Sequence, residues 1–270
     1  MFSITLDRIS LKQIAGSGQC FRWKALGDGR WAVPVYGAVF ELEQISPGEV
    51  RVRTDAALRA EVLMRAYLDA ETDYGAIFAE IDPDDAYLIA AARAGRGIRI
   101  LRQPLWETTA SFIISQNNNI PRIRSIIARL CGRELAPFPP AERVAEMDEA
   151  QLRAIGCGYR AGYLLHAARQ FADGDEARLP AMDRMDARAH LVSYKGIGEK
   201  VADCICLYGL GHKDAFPADV WVKRILASHY PQGFSQRTSR FAGVYQQVMF
   251  EYERSRAMPA GKAGGHAREA

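Results

Sequence analysis

Tyr194-Lys195-Gly196-Ile197-Gly198-Glu199-Lys200-Val201-Ala202-Asp203, followed by Phe216-Pro217-Ala218-Asp219-Val220, is the part of the chain whose reading decides the fold. Two glycines flank Ile197, so the chain can turn tightly between helices, with positive φ expected and backbone N–H groups left open to an anion. From Glu199 apolar residues return at helical spacing through Lys-Val-Ala-Asp-Cys-Ile-Cys-Leu-Tyr, which predicts a half-buried helix. Helix, glycine hairpin and helix make a module suited to a phosphate backbone. Lys200 falls on the first turn of the second helix, where the positive end of the macrodipole disfavours an ammonium. Asp219 stands nineteen positions later, directly before the apolar-periodic run Val220 to Leu226, and reads as its N-cap.

Working outward, residues 1 to about 54 read as strands. Phe2 to Leu6 opens, Gln19 to Lys24 follows, Trp31 to Leu42 alternates imperfectly, and Glu49 to Arg53 closes. Turns are expected at Gly27-Asp28-Gly29 and Ser46-Pro47-Gly48. From Asp55 the pattern becomes helical, with apolar spacing at Leu58, Val62, Leu63, Ala66 and Tyr67 and again at Trp106, Ala110, Phe112, Ile113 and Ile114. An α+β fold follows: an antiparallel sheet leading into an all-helical body. We expect residues 1–95 to hold the sheet with flanking helices and 96–254 to form the helical region, with the hairpin motif at about 187–210. Residues 255–270, rich in Ala, Gly and charge, read as a disordered tail.

With 270 residues, 49% hydrophobic and 25% charged, the chain can bury a large core. A net charge of +3 permits a nucleic-acid partner without arguing for one. No apolar run approaches the roughly 20 residues a membrane helix needs, and Met1 to Asp7 is too short and too acidic for a signal peptide. A cytoplasmic protein is therefore expected, nucleoid-associated in a prokaryote, with no membrane partner. Cys20, Cys131, Cys157, Cys204 and Cys206 are scattered and odd in number, which fits reduced thiols better than a disulfide framework.

Six separated motifs carry a resemblance to one family. They are Ser17-Gly18-Gln19-Cys20-Phe21-Arg22-Trp23, Asn117-Asn118-Asn119-Ile120-Pro121-Arg122-Ile123, Gly158-Tyr159-Arg160, Lys200 to Cys206, Pro217-Ala218-Asp219, and Gln246 with Phe250. In this order the chain resembles the helix-hairpin-helix DNA glycosylases, and within them the 8-oxoguanine DNA glycosylases of eukaryotic type, over roughly its first 250 positions. A related branch carries four closely spaced cysteines after the aspartate for an iron–sulfur cluster, whereas none follows Cys206 here. Neither a metal nor an organic cofactor is expected.

The resemblance implies roles. Lys200 would be the amine that attacks the anomeric carbon, and Asp219 would stay ionised to stabilise the developing positive charge. The carbonyl of Gly18 would accept the N7 hydrogen that 8-oxoguanine carries and guanine lacks. Undamaged guanine would set acceptor against acceptor, an unmatched pair that costs on the order of 1–3 kcal/mol when buried. Phe250 and Cys204 would cover the two faces of the everted base beside Pro217, with Gln246 on its pairing edge. The i, i+4 spacing of Gln246 with Phe250, and of Lys200 with Cys204, supports both pairings. On the opposite strand, Arg122 and Arg160 would donate to the estranged cytosine, Asn117 would fill the gap and Tyr159 would wedge between bases. Gly196 and Gly198 would present the hairpin to the backbone. Trp221 departs from the pattern, because the family has there a histidine that contacts a phosphate.

The expectation is a bifunctional DNA glycosylase and abasic-site lyase excising 8-oxoguanine opposite cytosine from double-stranded DNA, acting as a monomer. One rival is a glycosylase for alkylated or other damaged purines, several of which lack the lysine. Another is a catalytically silent hairpin module that only binds DNA. Each role also has an ordinary structural counterpart: a capping aspartate, an exposed lysine, a turn glycine, a core phenylalanine.

Overall fold

Five strands form one antiparallel sheet in the computed structural model, which describes residues 1–56 and 59–257. They are β1 (Phe2–Thr5), β2 (Lys24–Gly27), β3 (Arg30–Val35), β4 (Ala38–Ser46) and β5 (Glu49–Thr54), in spatial order β1-β5-β4-β3-β2. Two-residue alternation puts Phe40 and Leu42 of β4 and Val50 and Val52 of β5 on one fully buried face. The other face pairs charges across neighbouring strands: Glu41 lies 3.1 Å from Arg53, and Glu43 lies 3.1 Å from Arg51. Solvated pairs of this kind contribute about 1 kcal/mol at most, so the sheet is held by its apolar face.

The N-terminal region differs from the expectation at three places, the first being that the expected strand Trp31 to Leu42 is a hairpin of β3 and β4 turning at Tyr36 and Gly37. A short helix, Leu11–Gly16, which was not expected, lies between the first two expected strands; Ser10 caps it by accepting from the Gln13 N–H, and Leu11, Ile14 and Ala15 are buried. Gln19 to Lys24 is not a strand, since β2 begins only at Lys24. Its apolar residues serve two cores. Cys20 and Trp23 pack beneath the sheet, whereas Phe21 packs into the helical core with Phe112. A strand offers one face to each side in strict alternation, and this segment instead bridges two subdomains as an irregular loop.

Arg99 locks the sheet to the helical body. Fully buried, it pairs with Asp7 and donates to the carbonyls of Leu68, Arg8, Asp69 and Thr72 at 3.0, 3.1, 2.7 and 2.6 Å. A buried guanidinium is tolerated because its donors are met. The helical core then spreads between helices Leu105–Ser115, Ile120–Leu130, Arg160–Gln170, Glu199–Tyr208 and Ala242–Ala257. The last helix runs past residue 254, so Ser255 to Ala257 are helical where a tail was expected; the rest of that expected tail, 258–270, lies outside the described residues. Among the described residues no helix is long and apolar enough to cross a membrane.

Candidate active site

Helix Arg184–Val192, a turn at 193–198 and helix Glu199–Tyr208 build the hairpin. Gly196 has φ +84°, and a Cβ there would overlap the ring of Tyr163. Both conformation and space therefore require glycine at that point. Gly198 does not share the expected positive φ: it is the extended N-cap of the second helix at φ −92°, with open space around it. What glycine leaves at 198 is an unobstructed approach to the first N–H groups of the helix, the part of a helix that binds anions. Arg188 fastens the two helices together, 2.8 Å from Asp203 and 3.4 Å from Glu199.

Lys200 emerges from the first turn, its Nζ 5.1 Å from the centroid of the Phe112 ring. Cys204, one turn on, is buried; burial pushes its thiol up, and Lys200 beside it opposes the shift. Asp219 caps helix Val220–His229, its Oδ1 accepting from the Val222 N–H at 2.9 Å. Its carboxylate and the Lys200 amine line one cavity together with Gly18, Cys204, Pro217, Gln246 and Phe250. All seven residues expected for the amine, the carboxylate and the base pocket thus come together from four separate stretches of chain.

That cavity holds only about 40 Å³, room for a few waters. The gap is closed by Phe250, whose ring would lie 3.6 Å from a methyl placed on Gly18. A purine enters only if ring and glycine part. Gln246 is almost fully buried, and its Oε1 is the one buried side-chain oxygen or nitrogen without a hydrogen-bond partner among the described residues. An orphaned amide oxygen costs on the order of 1–3 kcal/mol, and it sits in the wall of this cavity.

Residues that sequence reasoning missed hold Gly18 in place. Gln247 Nε2 donates to the Ser17 carbonyl at 2.9 Å, and Tyr208 OH donates to Gln247 Oε1. Gln19 donates to Ser17 Oγ at 2.9 Å and to the Arg99 carbonyl at 3.0 Å, and accepts from the Leu101 N–H at 2.8 Å. Gly18 itself has φ +77°. Gly18 is thereby held between fixed neighbours on both sides. The signal available in sequence was the doubled glutamine, Gln246-Gln247, of which only the first was chosen.

The opposite-strand candidates also converge. Asn117 takes a left-handed φ of +47°, which asparagine tolerates, and its Nδ2 donates to Tyr159 OH at 3.2 Å across 42 positions. Tyr159 is 47% exposed, as a wedge must be. Asn119 caps helix Ile120–Leu130 by accepting from the Arg122 N–H, and the Arg122 side chain is exposed. Arg160 differs from its neighbours in being buried. Its guanidinium donates to the Gln116 carbonyl at 2.7 Å and the Asn117 carbonyl at 3.1 Å, and stacks on Tyr159 at 4.4 Å. Gln116 also reaches the hairpin, donating to the Gly196 carbonyl at 3.0 Å, so one residue joins the Asn117 loop to the glycine turn. Among the described residues no three His, Cys, Asp or Glu side chains cluster as metal ligands.

A glycine hairpin delivering a lysine to a carboxylate-lined base pocket defines a helix-hairpin-helix base-excision glycosylase. Residues 1–109 match the model of the 8-oxoguanine DNA glycosylase N-terminal domain, and 110–239 that of the helix-hairpin-helix GPD superfamily of base excision DNA repair proteins. The chain therefore belongs to the 8-oxoguanine DNA glycosylase family. A Saccharomyces cerevisiae protein named N-glycosylase/DNA lyase is 32% identical over 84% of this chain and 70% of its own length. Among solved structures, MBOgg1 in complex with a low affinity DNA ligand superposes with a TM-score of 0.86 at 32% identity, covering 94% of both chains. The Clostridium acetobutylicum 8-oxoguanine glycosylase/lyase, in complex with duplex DNA containing cytosine opposite 8-oxoguanine, gives 0.85 at 27% identity, covering 96% of this chain and 99% of its own.

Proposed function

We propose that this protein is a bifunctional DNA glycosylase and abasic-site lyase that excises 8-oxoguanine from duplex DNA, preferring cytosine opposite, in base excision repair. The observation that carries the reading is the shared cavity of Lys200 and Asp219 with Gly18, Gln246 and Phe250. The base everts into the space vacated when Phe250 leaves Gly18, and lies between Phe250 and Cys204. Its N7–H donates to the Gly18 carbonyl, and its pairing edge donates to the orphaned Oε1 of Gln246. Lysine Nζ then bonds to C1′ while the C1′–N9 bond breaks and the base departs with its electrons and a proton. The Asp219 carboxylate faces the positive charge that grows on the sugar. Loss of the ring oxygen from C1′ gives the Schiff base, and removal of a C2′ proton expels the 3′ phosphate and nicks the strand.

In this reading residues 1–95 supply Gly18 and 96–254 supply the amine, the carboxylate and the opposite-strand contacts. Asn117 fills the gap, Tyr159 wedges, Arg122 and Arg160 read cytosine, and Gly196 and Gly198 meet the backbone. The enzyme works as a monomer beside DNA in the cytoplasm. Borohydride trapping on duplexes carrying 8-oxoguanine opposite each base tests the proposal. Wild type should give a covalent complex, fastest opposite cytosine, and Lys200→Gln none. An undiminished adduct in Lys200→Gln would show that another amine attacks.

A further inference from the structure

A groove of about 770 Å³ runs along one face of helix Ile120–Leu130, walled on its other side by helix Leu11–Gly16 and by Trp23 and Trp31. Six of its lining side chains are cationic (Lys12, Arg22, Lys24, Arg124, Arg133 and Arg254) and one, Glu134, is acidic. Three of the cations are already answered: Arg22 by Glu107 at 2.8 Å, Lys24 by Glu134 at 2.5 Å and Arg254 by Glu251 at 2.7 Å. Lys12, Arg124 and Arg133 are exposed and, among the described residues, have no carboxylate within ion-pair distance. Like charges facing one hollow raise the local potential and draw in an anion.

Where the groove leads says which anion. Its lining includes Ile120 and Pro121, which lie in sequence between Asn119 and Arg122 of the opposite-strand cluster, and Gly16 and Arg254, the latter with its guanidinium 5.8 Å from the Phe250 ring of the base pocket. We infer that this groove takes the sugar–phosphate backbone of duplex DNA flanking the lesion, with Lys12, Arg124 and Arg133 on its phosphates. The inference rests on the proposed function and extends its contact area beyond the base pocket. An acidic protein would match the charge, but a lining that takes in immediate neighbours of both the base pocket and the opposite-strand cluster favours DNA.

The test measures how binding to an 8-oxoguanine duplex depends on salt, with Lys200→Gln in every variant to prevent turnover. On a duplex extending a full helical turn to each side, Lys12→Gln/Arg124→Gln/Arg133→Gln should lower the slope of log K against log salt by about 2 to 3. Each lost phosphate contact removes about 0.9. The charge-keeping triple Lys12→Arg/Arg124→Lys/Arg133→Lys should retain the original slope. An unchanged slope in the glutamine triple, or an equal loss in the charge-keeping triple, overturns the groove. Wild-type excision, assayed separately, keeps the two claims apart. If wild type releases no 8-oxoguanine the parent reading falls, whereas excision with an undiminished slope in the glutamine triple removes the groove alone.

Discussion

Lys200 and Phe112 stand in a fixed relation: the amine lies over the ring face at 5.1 Å, and the ring is stacked on Tyr208 at 5.5 Å with 12° between planes. The aromatic pair forms a shelf on which the proposed nucleophile rests. Phe112→Leu removes the shelf while keeping an apolar side chain of similar bulk, so stability should fall by no more than about 1.5 kcal/mol. The rate of borohydride trapping should fall roughly tenfold, because near-attack geometry is lost. A melting curve and a trapping time course on one preparation check both halves.

Asp219 caps its helix, and the proposed function gives it a second job that substitution can separate from the first. Asparagine caps a helix as well as aspartate does, whereas alanine costs about 1 kcal/mol at that position. Asp219→Asn should therefore keep the Val222 bond and the melting temperature while excision drops strongly, and Asp219→Ala should lose both. Near-normal excision by Asp219→Asn would leave the residue as a cap and nothing more.

The hairpin, Lys200, the Asp219 cap and the sheet-then-helix order were legible because each has a local signature: glycine spacing, helical period, a capping residue before an apolar run. What was not legible depends on tertiary partners. Helix Leu11–Gly16 is too short to announce itself by period, and Gln19 to Lys24 imitates a strand because its apolar residues divide between two cores. Nothing local distinguishes Arg160 from an exposed arginine. Its burial is set by the carbonyls of Gln116 and Asn117, more than forty positions away in sequence. The positive φ expected of both hairpin glycines belongs to Gly196 alone, since Gly198 is already the extended cap of the next helix.

Gln246 should reveal itself by a trade of stability for function. Its Oε1 is buried without a partner, so Gln246→Met, which removes the orphaned acceptor at similar volume, should leave the free protein as stable or more stable by up to about 1–3 kcal/mol. Excision of 8-oxoguanine should meanwhile fall, since the pairing edge loses its acceptor. Thermal midpoints and single-turnover rates measured side by side decide it; destabilisation with intact excision would mark Gln246 as an ordinary core residue.

Arg122 and Arg160 should differ in what they cost the free protein. Arg160→Ala strips charged hydrogen bonds from two carbonyls, a loss of about 2 kcal/mol or more, and releases the Asn117 loop. Arg122→Ala, at an exposed side chain, should stay within about 0.5 kcal/mol of wild type. Both should flatten the preference for cytosine over adenine opposite the lesion. If only Arg160→Ala does so, base reading passes through the ordered loop and not through a pair of arginines.

Glu107 gives the fold a pH dependence with a definite sign. Burial drives its carboxyl upward, and although the Arg22 guanidinium at 2.8 Å pulls the other way, the result is a pKa raised from the usual 4.5 to about 7. An acid whose pKa is higher in the folded state favours folding most where both states hold the proton. This contribution is full below about 4.5 and is lost as pH rises through about 7, because the unfolded chain gives up its proton first. Arg22 also donates to the Pro34 and Ala136 carbonyls, so it keeps partners throughout. Glu107→Gln retains an acceptor for Arg22 and cannot ionise. Relative to this variant, wild type should lose stability between about pH 4.5 and 7 and then run parallel to it. Parallel curves of thermal midpoint against pH across that whole window would mean that the carboxyl ionises normally in the fold, with Arg22 outweighing the burial.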